Sequence, residues 1–203
     1  MENIDKFFVI NLDKRGDRLK EFENECHTYN LDMLKYERFP AIYKPENPSA
    51  GCTLSHAEVL KIAKNRGYKN IIIFEDDFMF TVDKEYFYDK LKQFFDMNIS
   101  FGVLMLEYCT FDKTNINELV SYTTTASGAA GYIVNHTMFD ELINCLTYGG
   151  EMLEKTGEHW NYINDQIWKR LQGERWLIFN KRIGQQRPSF SDLKNDFVIQ
   201  NYN

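Results

Sequence analysis

Four short, largely apolar runs are spread along this chain: FFVINL at 7–12, NIIIF at 70–74, FGVLMLE at 101–107 and SGAAGYIVN at 127–135. A strand with one wet face would alternate apolar and polar side chains, so uninterrupted runs belong to strands covered on both faces. The stretches between them have helical spacing. Leu19, Phe22 and Cys26 fall on one helical face, TLSHAEVLKIAKNR (53–66) runs to a glycine stop at Gly67, and DKEYFYDKLKQFFDM (83–97) is amphipathic. Further helices are predicted in HTMFDELINCLTY (136–148) and NDQIWKRLQ (164–172). Strands alternating with helices predict an α/β fold with a Rossmann-like, mostly parallel central sheet flanked by helices. RWLIF (175–179) reads as an edge strand, and residues 181–203 as an ordered but irregular tail.

The 203 residues, 43% of them hydrophobic, suit a single domain spanning 1–203 with one substantial core. A net charge of −6 without a basic stripe argues against a nucleic-acid surface, so an anionic ligand must be met locally, by a metal ion, a helix N-terminus or a few placed cations. Cys26, Cys52, Cys109 and Cys145 are scattered without CxxC spacing and indicate neither a zinc site nor a redox pair. They read as small buried hydrophobes in a reducing compartment. The N-terminal MENIDKFFVINLDK has no long apolar stretch, so neither a signal peptide nor an integral membrane segment is expected, and the expected location is cytoplasmic.

One feature is costly enough to need a reason. The NIIIF strand stops on three consecutive carboxylates, Glu75, Asp76 and Asp77. In α/β sheets ligands bind beyond the carboxyl ends of the strands, where these acids emerge. Extended geometry would put Glu75 and Asp77 on one face and Asp76 on the other, a pair suited to Mg²⁺ or Mn²⁺ and through it to a nucleotide diphosphate. The competing readings are a helix cap, solvated loop charges, or the phosphoacceptor of a receiver-like domain, whose acidic pair should follow the first strand.

Several stretches together resemble glycosyltransferase family 25, the group with lipopolysaccharide galactosyltransferases and collagen galactosyltransferase domains. They are VINLDKRGDRLKEF (9–22), ERFPAI (37–42), AGCTLSH (50–56), IIIFEDD (71–77), GYIVN (131–135) and QQRPSFSDL (185–193), in the family's order over nearly the whole chain. The resemblance implies a GT-A-like fold and inverting transfer of a hexose, usually galactose from UDP-galactose, with Mn²⁺ or another divalent ion. The acceptor would be a hydroxyl on a glycan or on a hydroxylysine-containing, collagen-like protein.

Residue by residue, EDD then stands in the place of the DxD metal signature, with Asp77 the foremost ligand, Glu75 binding the metal through water or contacting the ribose, and Asp76 in support. Asn11 and Asp13 would meet base or ribose, and Arg15 or Arg18 phosphate. Asp17 reads equally as a cap of the helix that follows. Gly51–His56 reads as a loop-to-helix junction whose positive end favours an anion, with Ser55 and His56 facing the cleft. Asp165 corresponds to the family aspartate of a PVD-type sequence, here with Ile163-Asn164 before it, and is the candidate catalytic base or else an N-cap. Gln186, Ser191 and Asp192 match a Q…SD ending that could close over the diphosphate, with Asp192 completing the metal shell or capping a turn. Tyr132 and Trp160 are candidate sugar-stacking aromatics. The rival readings are a non-catalytic relative that binds sugar nucleotide or glycan as an interaction module, and a phosphotransfer or phosphatase domain using the same acids.

Overall fold

In the computed structural model, which describes residues 1–191 and 196–198 with side chains up to residue 188, the first strand sets the layering. Strand β1 (Lys6–Asn11) sends Phe8 and Ile10 into one core and Phe7 and Val9 into the other. Helix α1 (Gly16–Thr28) covers the second face with Phe22 and Cys26. After β2 (Tyr36–Pro40), helix α2 (Pro48–Asn65) covers the first face with Ala57, Val59, Leu60 and Ala63. Strand β3 (Asn70–Glu75) repeats the division, Ile71 and Ile73 to one side and Ile72 and Phe74 to the other. A two-residue turn leads to β4 (Phe78–Phe80), and α3 (Lys84–Asp96), capped by Asp83, packs Phe87, Leu91 and Phe94 beside α1.

Then come β5 (Val103–Met105), β6 (Thr114–Asn115), β7 (Val120–Thr123) and β8 (Gly131–Asn135). Helix α4 (Phe139–Thr156) lies against α2, and two single-turn helices follow, α5 (His159–Tyr162) and α6 (Asn164–Ile167). Strand β9 (Gly173–Phe179) re-enters the sheet, and β10 (Gly184–Gln186), β11 (Ser189–Ser191) and β12 (Asp196–Val198) end the described chain. Among the described residues no helix is long and apolar enough to cross a membrane.

The sheet order is β2-β1-β3-β8-β5-β9-β7-β6. Six of these eight strands point the same way, while β8 and β7 run against them, so β8 makes antiparallel ladders with both β3 and β5. This is the expected α/β architecture, with helices on both faces of a sheet whose strands mostly share one direction. Two local readings change. RWLIF is an interior strand, β9 lying between β5 and β7, because the polar 114–123 segment adds two strands outside it. The helix expected over 164–172 breaks into α6 and a 3-10 turn, Trp168–Leu171.

The register gathers one end of the sheet. Ile10 is opposite Glu75, Phe74 opposite Gly131 and Met105 opposite Tyr132, so the ends of β1, β3 and β5 and the start of β8 lie together. On the α2 side, two glycines interrupt α4. A Cβ at Gly150 would lie 2.5 Å from Leu54 of α2, and one at Gly149 would lie 2.7 Å from the backbone oxygen of Tyr162. Glycine costs a helix interior about 1 kcal/mol relative to alanine, so here close approach outweighs propensity. Gly149→Ala is therefore expected to destabilise the protein by about 1–3 kcal/mol despite its better helix propensity. Chemical denaturation checks this, and an unchanged or higher midpoint would show that the α5–α6 corner yields freely.

Candidate active site

At the gathered end the chain turns sharply at Asp76 and Asp77, between β3 and β4. Strand alternation therefore stops at Glu75, and Asp76 does not point to the opposite face as extended geometry predicts. All three acids line one cleft. Asp76 is the most enclosed: its Oδ2 accepts from Asn11 Nδ2 at 2.7 Å and its Oδ1 from Arg18 Nη1 at 3.0 Å. The same Arg18 nitrogen lies 3.3 Å from Asp77 Oδ2. Asp77 Oδ1 is buried with no hydrogen-bond partner among the described residues. Burial, and then the charge of Glu75, push the Asp77 carboxyl up to about 8 against the pull of Arg18. Burial also raises Asp76, more than Arg18 and Asn11 lower it. Glu75 moves the other way: burial would raise it, but the hydrogen bond from His56 prevails and leaves it lowered.

His56 reaches Glu75 because α2 passes directly behind β3. Its Nε2 is 3.0 Å from Glu75 Oε1 and its Nδ1 2.8 Å from the Tyr132 hydroxyl, and the imidazole is fully buried. One helical turn earlier, Cys52 Sγ lies 3.8 Å from the same Glu75 oxygen and accepts from Asn164 Nδ2 at 3.6 Å. Among the described residues, Cys52, His56 and Glu75 are the one trio of His, Cys, Asp or Glu whose ligand atoms all lie within 4.8 Å of one another. The absence of CxxC spacing hid this. Its signal was Cys52 and His56 at i and i+4 on a helix, which places them on one face.

The cleft has a volume of about 260 Å³. Ile10, Leu12, Ala41 and Ile42 line it with apolar surface, and Lys14, Arg15, Arg18 and Lys44 bring four cations to it in a chain of net charge −6. Tyr43 stands at its edge, 60% exposed, with the Lys14 ammonium 5.0 Å from the ring centroid. Strand β10 pairs antiparallel with β4, which carries Gln186 to the carboxylates: its Nε2 is 3.4 Å from Glu75 Oε2.

Several predicted contacts take other roles. Asn11 is buried and spends its amide on Asp76 and the Arg15 carbonyl, while its Oδ1 accepts from Arg38 at 2.9 Å. Asp13 is exposed and pairs with Arg38 at 2.6 Å. Ser55 is fully buried, accepting from the Ile42 amide at 2.8 Å and donating to the Gly51 carbonyl at 2.7 Å. Helix α2 begins at Pro48 behind an Asn47 cap, so Gly51 lies inside the helix and the 51–56 segment offers no free amides. Tyr132 is core, and Trp160 is 73% exposed. Asp17 makes no cap; it pairs with Arg15, whose hydrogen bonds hold its carboxyl down at about 2. The side chain of Ser191, and Asp192 as a whole, lie outside the described residues.

Asp165 sits beyond Cys52 and Asn164 and does not line the cleft. Its Oδ2 accepts from the Gly128 amide at 3.0 Å and its Oδ1 from Gln166 at 3.2 Å; burial raises its carboxyl. Gly128 has φ +98°, and a Cβ there would lie 2.5 Å from both carboxylate oxygens of Glu107. Glu107, buried just past β5, accepts from the Ala130 amide at 3.2 Å. In sequence, Glu107 stands only as the end of an apolar run. Its signal is a carboxylate at a strand's carboxyl end, as for Glu75.

A hard cation fits this corner, since the orphaned Asp77 oxygen and the cleft-facing Glu75 supply two oxygen donors and the cleft has room for others. Without a cation the folded state holds a proton on Asp77 that the unfolded chain has released. Stability of chelator-treated protein should therefore fall as pH rises from about 4 to about 8. Asp77→Asn, neutral throughout, is expected to flatten that slope and to be the more stable by on the order of 1–2 kcal/mol at its upper end. Thermal melts across pH in chelator decide it; identical slopes would discount the buried charge.

The model of glycosyltransferase family 25 (LPS biosynthesis protein) matches residues 47–150, just over half of the chain, and includes α2, the acidic turn, Glu107 and Gly128. Comparison with curated proteins finds no match. Among solved structures, the fold is similar to a glycosyltransferase involved in glycosylation of the major capsid of PBCV-1, with TM-score 0.55 and 9% identity over 94% of this chain and 96% of that one. It is also similar to a mannose-1-phosphate geranyltransferase from Thermus thermophilus, with TM-score 0.50 and 8% identity over 91% of this chain and 74% of that one. A third is the glycosyltransferase GlyE of Streptococcus pneumoniae, with TM-score 0.50 and 8% identity over 87% of this chain and 45% of that one. These likenesses are of fold, whereas the match in sequence covers just over half of the chain, including the acidic turn and the helix that carries His56; the chain belongs to glycosyltransferase family 25.

Proposed function

We propose that this glycosyltransferase is metal-dependent and inverting, and that it moves a hexose, galactose from UDP-galactose, to a hydroxyl of a glycan or a hydroxylysine-containing protein. The observation that carries the reading is the buried Asp77 oxygen, without a hydrogen-bond partner among the described residues, beside Glu75 in a cleft that also brings apolar surface and four cations. A uracil can lie on the exposed Tyr43 ring, and its diphosphate can meet Lys14, Arg15, Arg18 and Lys44. Asp77 and Glu75 would hold Mn²⁺ or Mg²⁺. That ion, when bound, neutralises charge on the departing diphosphate.

The chain's own residues do the remaining work. His56, braced by Tyr132, orients Glu75, and Asn11 and Arg18 keep the turn in place through Asp76. Asp165 accepts the acceptor's proton as its oxygen attacks the anomeric carbon. Its place off the nucleotide cleft suits a base on the acceptor side, and its raised carboxyl makes it a stronger base than a solvated aspartate. Glu107 and Gly128 set the loop whose amide holds it.

In vitro transfer from UDP-galactose is expected to vanish in excess chelator and in Asp77→Ala, and full activity under either condition would end the metal reading. UDP with Mn²⁺ should raise the melting temperature of the native protein. Tyr43→Ala is expected to weaken that binding by about 1–3 kcal/mol. Asp165→Asn separates enzyme from binding module: an enzyme keeps UDP binding and loses transfer by a factor of about 100 or more. A non-catalytic relative shows no transfer before or after the change.

A further inference from the structure

The geometry points to a second cation site, for a thiophilic divalent ion of the zinc or cadmium type, formed by Cys52 Sγ, His56 Nε2 and Glu75 Oε1. It differs in chemistry from the all-oxygen corner at Asp77, and it stands whether or not the chain transfers a sugar. Cys52 and His56 project from one face of α2 toward the end of β3, and the three donor atoms lie within 4.8 Å of one another. A tetrahedral zinc ion with bonds of about 2.0–2.3 Å holds its donors about 3.4–3.6 Å apart. The Cys52–Glu75 separation is 3.8 Å and the His56–Glu75 separation 3.0 Å, each a few tenths of an ångström from that spacing.

The surroundings already orient these donors. His56 Nδ1 lies 2.8 Å from the Tyr132 hydroxyl, the outer contact that commonly fixes a metal-binding imidazole. Asn164 Nδ2 donates to Cys52 Sγ at 3.6 Å, which is compatible with a thiolate. Cys52 and Glu75 both line the cleft, so an ion has an entry path and a fourth position for water. On binding, the Cys52 thiol proton and the Nε2 proton that His56 donates to Glu75 both leave to solvent, and the neutral imidazole takes up one proton from solvent at Nδ1, donated to the Tyr132 oxygen. Thiolate, imidazole and carboxylate together favour zinc-like ions over Mg²⁺ or Mn²⁺. Glu75 is shared, presenting Oε1 to this site while Oε2 faces Gln186.

The test uses Cd²⁺ alone, titrated into the metal-free full chain without sugar nucleotide, and reads the ultraviolet thiolate-to-cadmium charge-transfer band. One thiolate per chain is expected. Cys52→Ser, whose hydroxyl can keep the hydrogen bond to Glu75, should abolish the band while melting like the parent protein. Cys109→Ser, at the other half-buried cysteine, should leave it intact. Tyr132→Phe should retain the band with roughly 10–100-fold weaker Cd²⁺ affinity. No band in the parent protein, or a band that survives in a folded Cys52→Ser, overturns the proposal. If Cys52→Ser does not fold, Cys52→Ala replaces it with the same two outcomes.

Discussion

Three carboxylates in one tight turn, out of bulk water, are the constraint around which the working end of this molecule is arranged. Two unit charges 4 Å apart repel by about 4 kcal/mol at the effective dielectric of a protein surface, so a turn like this cannot stand without partners. Three of the partners come from elements distant in sequence. Asn11 arrives at the end of β1, Arg18 from the first turns of α1, and His56 from the middle of α2. Each answers a different acid or face of an acid, and among the described residues one acceptor, Asp77 Oδ1, is left over. That oxygen belongs to a side chain lining the cationic cleft, and the proposed metal and diphosphate site rests on this pairing.

Close packing of α2 makes this arrangement reachable. The helix touches the backbone on one side and α4 on the other: a Cβ at Gly51 would lie 2.4 Å from the Ile42 oxygen, and one at Gly150 2.5 Å from Leu54. With α2 held so close, a histidine side chain spans from β8 to β3, joining the Tyr132 hydroxyl to Glu75. The same proximity brings Asn164 onto Cys52 and Thr53, and with it the α6 turn that carries Asp165. Packing and chemistry are inseparable here. The glycines that look like interruptions of a helix pattern set the distance between the acidic turn and the loop that holds the candidate base.

Much of the fold was legible. Buried strands read as unbroken apolar runs because both sheet faces are covered, and α1 and α3 read as helices because each hides one stripe. Strands β6 and β7 leave no such signal, since Thr114–Asn115 and VSYT carry no apolar run; β7 exists through pairing with β9, and β6 through pairing with β7. The start of α2 was misread because PENPSAG has loop composition, whereas Asn47 is a cap and Pro48 a first-turn residue. At the site, Glu75, Asp77, Arg15, Arg18 and Gln186 are legible as candidates in the sequence and line one cleft. Asn11, Asp13 and Ser55 were named for a ligand and bond to protein instead, a choice among partners that composition cannot express.

The sequence alone determined the layered α/β arrangement and the position of the acids at a strand's carboxyl end, because periodicity and burial are local consequences of side-chain chemistry. Tertiary structure decided which acid keeps a vacant oxygen, which histidine nitrogen faces Glu75, and that Glu107, Gly128 and Asp165 form one chain of contacts. Those outcomes depend on register and on helix-to-sheet distance. Both are properties of elements meeting across the fold, and no single stretch of residues contains them.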